Sequence, residues 1–157
     1  MQISKETRAQ AERALCRRDG AETLVKMFGH GALTRQFALK EIGRSVLEYN
    51  KFYRIDILCE VAGIRRAEVR KIAIDICNRL LKIGDYYLAK GKPHRASAIE
   101  TTIEDIICDH GLVKDEEGNE SELMKAKIGF MLRIMEKKGD ANYPFIRDHY
   151  KRQGYDV

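Results

Sequence analysis

Residues that could do chemistry are few and scattered. Four histidines stand at 30, 94, 110 and 149, mostly at helix ends. None belongs to an H-E-x-x-H metal-binding pattern, and the chain has no P-loop, no G-x-S-x-G nucleophile elbow and no G-x-G-x-x-G phosphate cradle. Glu104 and Asp105 are adjacent, so on a helix they face different directions, which is poor geometry for a carboxylate pair in acid–base work. Four cysteines at 16, 59, 77 and 108 lack the C-x-x-C spacing of a zinc ribbon or a thioredoxin-like centre. They read either as a metal site assembled in space or as reduced thiols packed like small apolar residues, and their mostly apolar helical settings favour the second. No catalytic residue, cofactor or metal is expected, and the chain reads as a non-enzyme.

The stretch that must position side chains is 62–85, AGIRRAEVRKIAIDICNRLLKIGD. Val69, Ile72, Ala73, Ile76, Leu80 and Ile83 recur at the i, i+3, i+4, i+7 spacing of a helix burying one face. Ile74, Cys77 and Leu81 add a second apolar line, so the stripe is wide and predicts neighbours on two sides. Around this helix the breaks predict eight or nine helices and no strand. The first spans 4–18, with Ser4 as N-cap. The second spans 21–28, between Asp19-Gly20 and Gly29-His30-Gly31. Helices over 33–50 and 51–63 follow, the latter closed by Gly63. The central helix covers 66–83, with a break at Gly84-Asp85 and a short turn in DYYLAK. Pro93 opens a helix over 93–111. The charged run Lys114–Gly118 reads as a solvated loop. Helices over 120–139 and about 140–154 complete the chain, the last starting near Pro144 and acting as a cap.

By length the 157 residues form a single domain. Apolar residues at 44%, charged residues at 34%, two prolines and no tryptophan describe a folded, highly charged helical protein. No run approaches the ~18 apolar residues of a membrane span, and MQISKETRAQAERAL holds no hydrophobic leader segment, so a cytoplasmic location is expected. The net charge of +5 is uneven: residues 1–80 carry 16 basic and 10 acidic side chains, residues 81–157 carry 13 and 14. The positive first half admits an anionic partner, and lysine-rich solubility would give the same pattern.

Internal similarity is the most informative feature. An arginine followed three residues later by alanine recurs as TRAQA (7–11), TRQFA (34–38), VRKIA (69–73) and HRASA (94–98), with KAKIG (125–129) a weak echo. The arginines at 8, 35, 70 and 95 lie 27, 35 and 25 residues apart. With ILCEVAGIRRAEVRKIAIDICNRLLKIGD (57–85) and TLVKMFGHGALTRQFALKEIG (23–43), the chain resembles the HEAT-repeat family over residues 4–111, in particular the short repeats of phycobilisome-lyase-like proteins. The resemblance implies an all-α fold, an α-α superhelix of stacked helical pairs. It implies no chemistry, because the family shares an architecture rather than an activity. In such a stack each pair covers the next; the alanine admits a close neighbour, and the arginine bonds carbonyls or an acidic residue of the following repeat. A row of ligand-binding arginines is the competing reading.

Helical repeats bind through the concave face formed by their second helices. Five and nine residues after the arginines at 35, 70 and 95 stand Lys40 and Arg44, Asp75 and Arg79, and Glu100 and Glu104. These six are the candidate partner-binding residues, basic at one end and acidic at the other; an ordinary solvated helix face fits them too. The expected function is therefore a scaffold that recognises a protein partner. Nucleic-acid binding is the alternative, with Arg8, Arg17, Arg18, Arg35, Lys40, Arg44, Arg65, Arg66 and Lys71 as phosphate contacts. HEAT-like glycosylases of alkylated DNA hold duplex in a basic groove, but with a tryptophan-lined cleft, and this chain has no tryptophan. No His-Glu dipeptide occurs, which removes a likeness to the di-iron HEAT-repeat hydroxylases. Tyr143, Phe145, Tyr150 and Tyr155, interleaved with Arg147, Lys151 and Arg152, either cap the last repeat or serve to stack bases or dock a partner. A lyase or glycosylase remains a third class; membrane attachment is not expected, and the sequence does not specify an oligomeric state.

Overall fold

Helix starts and stops follow local chemistry. In the computed structural model, which describes residues 4–17, 20–28, 32–48 and 52–156, eight helices appear: α1 (Lys5–Ala14), α2 (Gly20–Phe28), α3 (Ala32–Val46), α4 (Phe52–Ala62), α5 (Arg66–Ala89), α6 (Pro93–Asp109), α7 (Glu122–Lys138) and α8 (Tyr143–Arg152). Ser4 caps α1 by accepting the Thr7 backbone N–H at 3.1 Å, and Ser121 caps α7 by accepting that of Met124 at 3.1 Å. Gly63 ends α4 at φ 62°, a left-handed conformation that glycine adopts without a Cβ penalty. The next residue, Ile64, then donates to the Cys59 carbonyl at 3.0 Å, the bonding of a Schellman stop. The described residues are helical, apart from turns and a single bridge pairing Lys114 with Glu120 across the 114–120 loop. The Asp19, Gly29-His30-Gly31 and Asn50 boundaries lie outside the described residues, as does Arg18.

The chain divides into two compact units, residues 1–72 and 73–157, and α5 contributes turns to each. In the first, α1 packs on α2, α2 on α3 and α4, and α3 on α4, burying Leu15, Leu24, Ala38, Ile42 and Leu58. In the second, α6 packs on α7 and α7 on α8, over a core of Cys77, Ile103, Ile107, Leu112, Ile128 and Phe130. No helix of the described residues is long and apolar enough to cross a membrane.

Two sequence expectations about α5 need correction. The helix does not break at Gly84-Asp85 but runs on through Ala89. Gly84 serves as a helix–helix contact: a β-carbon there would overlap the Phe130 ring, with two ring atoms at 2.8 and 3.0 Å and the third nearer still. The buried line is also rotated from the one expected. Val69, Ala73, Cys77, Leu81 and Leu88 are buried, whereas Ile83 is 47% exposed. The four cysteines divide likewise: Cys77 is buried, Cys59 half-buried, and Cys16 and Cys108 exposed, all as thiols outside any disulfide. Burial pushes the Cys77 thiol up to about 12, so it packs as a neutral small residue.

The recurring alanines show how far the repeat extends. Ala11, Ala38 and Ala73 are at most 1% exposed, but Ala98 is exposed while Ala96 is buried. The packing rule therefore holds for three copies and is displaced in α6.

Gly84→Ala is predicted to destabilise the protein by about 1–3 kcal/mol, the usual range for forcing a methyl into a filled contact. Urea unfolding reads this directly. The double variant Gly84→Ala/Phe130→Leu, with a smaller residue opposite, should lose less than the sum of the two single changes.

Candidate functional site

Three charged arrangements come from the positions that the sequence singles out. The first is the arginine that opens α3. Arg35 donates to the carbonyls of Ala62 and Gly63 at 3.4 and 3.3 Å and pairs with the Glu68 carboxylate. Those carbonyls are orphaned by the end of α4, so one guanidinium fork joins the start of α3 to the turn between α4 and α5. This is the structural role expected of the repeated arginine, carbonyls and a following acidic residue together. Glu68 in turn accepts the Arg65 backbone N–H at 3.1 Å, as the third residue of a capping box does. That hydrogen bond, with the guanidinium charges of Arg35 and Arg65, holds the Glu68 carboxyl below its ordinary pKa. Arg95 acts differently, its guanidinium lying 5.5 Å over the Tyr87 ring. The side chain of Arg8 is outside the described residues.

The second arrangement gathers Lys127, Glu100 and Glu104 in the C-terminal unit. The Lys127 side chain is 8% exposed, with its Nζ 3.0 Å from Glu100 Oε1 and against Glu104 Oε2. Glu100 and Glu104 are one turn apart on α6 and thus share a face, and α7 brings the lysine to them. Burial by itself would depress the ammonium. The hydrogen bonds and charges of Glu104 and Glu100 outweigh it and raise the Lys127 pKa above its ordinary value. Glu100 and Glu104, placed by the sequence at the acidic end of a binding row, are therefore engaged by a lysine of their own unit. Their register accounts for it: in α6 the buried alanine is Ala96, not Ala98, so the positions five and nine residues after Arg95 turn toward α7. Cys108, one further turn along, lies 3.9 Å from Glu104 Oε1, and burial together with that carboxylate pushes its thiol up.

The other four members of the row are exposed. Lys40 and Arg44 lie on α3, where the Arg44 guanidinium pairs at 3.1 Å with the nearly buried Glu41. Asp75 and Arg79 lie on α5. Of the alternative phosphate contacts, Arg17, Arg65, Arg66 and Lys71 are exposed, and Arg65 sits 3.7 Å from Glu68. The charge asymmetry falls at the boundary between the units: residues 1–72 hold 15 basic and 9 acidic side chains, residues 73–157 hold 14 and 15.

The third arrangement is the aromatic C-terminus. Tyr150 meets Tyr155 edge-on at 5.2 Å, and Arg147 lies 5.7 Å over Tyr143. Burial and the Glu120 carboxylate push the Tyr155 hydroxyl up to about 12, tying the tail to the 114–120 loop. Phe145, at 71% exposure, takes no part in this packing.

Lys127 and Glu68 are the residues that sequence reasoning passed over. Lys127 carried a signal, since it falls in line with Leu123, Phe130 and Ile134 on the buried stripe of α7. Among the described residues no three histidine, cysteine or carboxylate side chains come together as a metal site. Comparison of the chain with family models, with curated proteins and with solved structures finds no match.

Lys127 gives a prediction whose sign is fixed. Its folded pKa exceeds the unfolded value of about 10.5, so its contribution to stability is complete below that pH and is lost as pH rises through the folded value. The difference in unfolding free energy between wild type and Lys127→Met should be flat from neutral pH to about 10 and then narrow. Glu100→Gln/Glu104→Gln, which leaves the ammonium buried and unpaired, should cost about 2–3 kcal/mol, below the range for a fully buried pair because Glu104 reaches solvent.

Proposed function

We propose that the chain is a non-catalytic binding module, a short HEAT-like stack of helical pairs that recognises a protein partner through its concave face. The observation that carries this reading is the use of Arg35. The repeated arginine is bonded to the Ala62 and Gly63 carbonyls and to Glu68, so it works as a joint between successive helices. The polar positions that follow it are left for display. Of these, Lys40, Asp75 and Arg79 are exposed, and Ala11, Ala38 and Ala73 are each buried three residues after an arginine. Loop-free display of side chains on rigid helices is how helical repeats present a recognition surface.

Nucleic-acid binding is the second reading, supported by the excess of 15 basic over 9 acidic side chains in residues 1–72. Phosphate contacts release counterions, so binding of that kind falls steeply with salt. Fluorescence anisotropy with labelled duplex and single-stranded DNA and RNA across a salt series separates the two. The protein-binding reading expects weak association that Lys40→Glu/Arg44→Glu leaves unchanged. It also expects a cellular protein, recovered with the wild type, to be lost from Lys40→Glu. Tight, salt-steep nucleic-acid binding that Lys40→Glu/Arg44→Glu weakens by about tenfold, 1.4 kcal/mol, would replace it with the second reading.

A further inference from the structure

The exposed side of α5 in the C-terminal unit has a composition that its fold does not require. Arg79, Lys82, Ile83, Tyr86 and Lys90 are all exposed, and their spacing of three, four, seven and eleven residues puts them on one face. Ile83 and Tyr86 are 47% and 58% exposed, adjacent apolar groups in the middle of the stripe. Arg79, Lys82 and Lys90 surround them. Asp85 lies off this face and is paired with Arg133 at 2.8 Å, and Asp75, one turn before Arg79, is exposed on the face and is outnumbered there by three cations. No carboxylate among the described residues pairs with Arg79 or Lys82.

The tyrosine is also held in place. Its ring meets the edge of Tyr87 at 5.7 Å, Arg95 lies 5.5 Å over Tyr87, and Lys90 lies 5.8 Å from the Tyr86 centroid. An exposed aromatic ordered before binding loses little entropy on contact and has the character of an anchor at protein interfaces.

We propose that this stripe docks an acidic segment of a partner protein, one with aliphatic or aromatic side chains set between its carboxylates. The proposal rests on the binding-module reading and specifies the partner's chemistry. Charge complementarity selects the occupant: three cations that pair with no carboxylate of the described residues flank an apolar centre over about 16 Å of helix. A nucleic acid fits the stripe less well. Its phosphates would also meet the rest of the unit, where residues 73–157 hold 15 acidic against 14 basic side chains, and Ile83 offers them nothing. An acidic segment needs only the local cations, and its apolar side chains cover Ile83 and Tyr86.

The test titrates the ¹⁵N-labelled full chain with a synthetic 16-residue peptide of glutamates interspersed with leucines, and with two controls, Gln for Glu and Ala for Leu. Shift changes confined to residues around 79–90, affinity falling by about tenfold with either control peptide and equally in Lys82→Glu and Tyr86→Ser, are the expected result. Both substitutions are at exposed positions, and unchanged thermal unfolding verifies that the variants fold. Shifts located elsewhere, or binding indifferent to Lys82→Glu and Tyr86→Ser, overturn the proposal. So does tighter binding of a labelled single-stranded DNA 20-mer at the same face, or self-association of the wild type that Tyr86→Ser disperses. If the peptide fails while Lys40→Glu still abolishes capture of a cellular protein, this docking surface is wrong and the binding-module reading stands. If both measurements fail, both readings fall.

Discussion

The absence of one β-carbon governs the C-terminal unit. Phe130 is fully buried and its ring occupies the space over Gly84, so α5 and α7 approach more closely there than any side chain on α5 would allow. Arg133, one turn beyond Phe130, lies 5.8 Å over that ring and reaches Asp85 at 2.8 Å, bracketing the contact with a cation and a carboxylate. Because Gly84 is held within the helix, α5 continues to Ala89 and carries Leu88 into the core. The same continuity turns Tyr86 outward and aligns it with Arg79, Lys82 and Lys90. A helix that ended at Gly84 would have no such face.

Charge is used in two ways along this chain. Where helix ends or close helix pairs leave polar groups out of water, charged side chains satisfy them, because an unpaired buried polar group costs more than the pair returns. Glu100 with Glu104 does this for the buried Lys127, while Arg35 and Glu68 bond two carbonyls and an N–H that helix ends leave without partners. Most of the remaining charge stands on exposed helix faces, where ion pairs contribute little to stability, although Glu41, paired with Arg44, is buried. The side chains of that second group are the ones available to a partner, and charge sequence alone does not separate the two groups.

The helices were legible because their punctuation is local. Ser4, Gly63 and Pro93 each act within a turn of their own position, and a single sequence contains everything needed to read them. The Arg-x-x-Ala repeat was legible for a related reason, since burial of Ala11, Ala38 and Ala73 repeats one local packing rule. Gly84 was misread because its partner lies 46 residues downstream, and a glycine serving as a contact looks the same in sequence as one serving as a stop. Lys127 was missed because a lysine is ordinarily a surface residue, and its burial depends on two carboxylates that α6 supplies from the other side of the contact. The rotation of the α5 stripe has the same origin. Ile, Leu and Cys occupy both lines of the helix, and which line is buried depends on where the neighbours pack rather than on hydrophobicity.

The displaced register of α6 explains why the repeat and the candidate surface part company. A binding row that runs through successive repeats requires each copy to present the same face outward. Ala38 and Ala73 are each buried three residues after their arginine, and Lys40, Asp75 and Arg79 are exposed. In α6 the small buried residue is Ala96, two positions earlier than the repeat requires, and two residues rotate a helix by about 200°. Glu100 and Glu104 thereby face α7, where they pair with the buried Lys127. Glu100 and Glu104 are engaged by Lys127, whereas Arg79 and Lys82 on α5 pair with no carboxylate among the described residues.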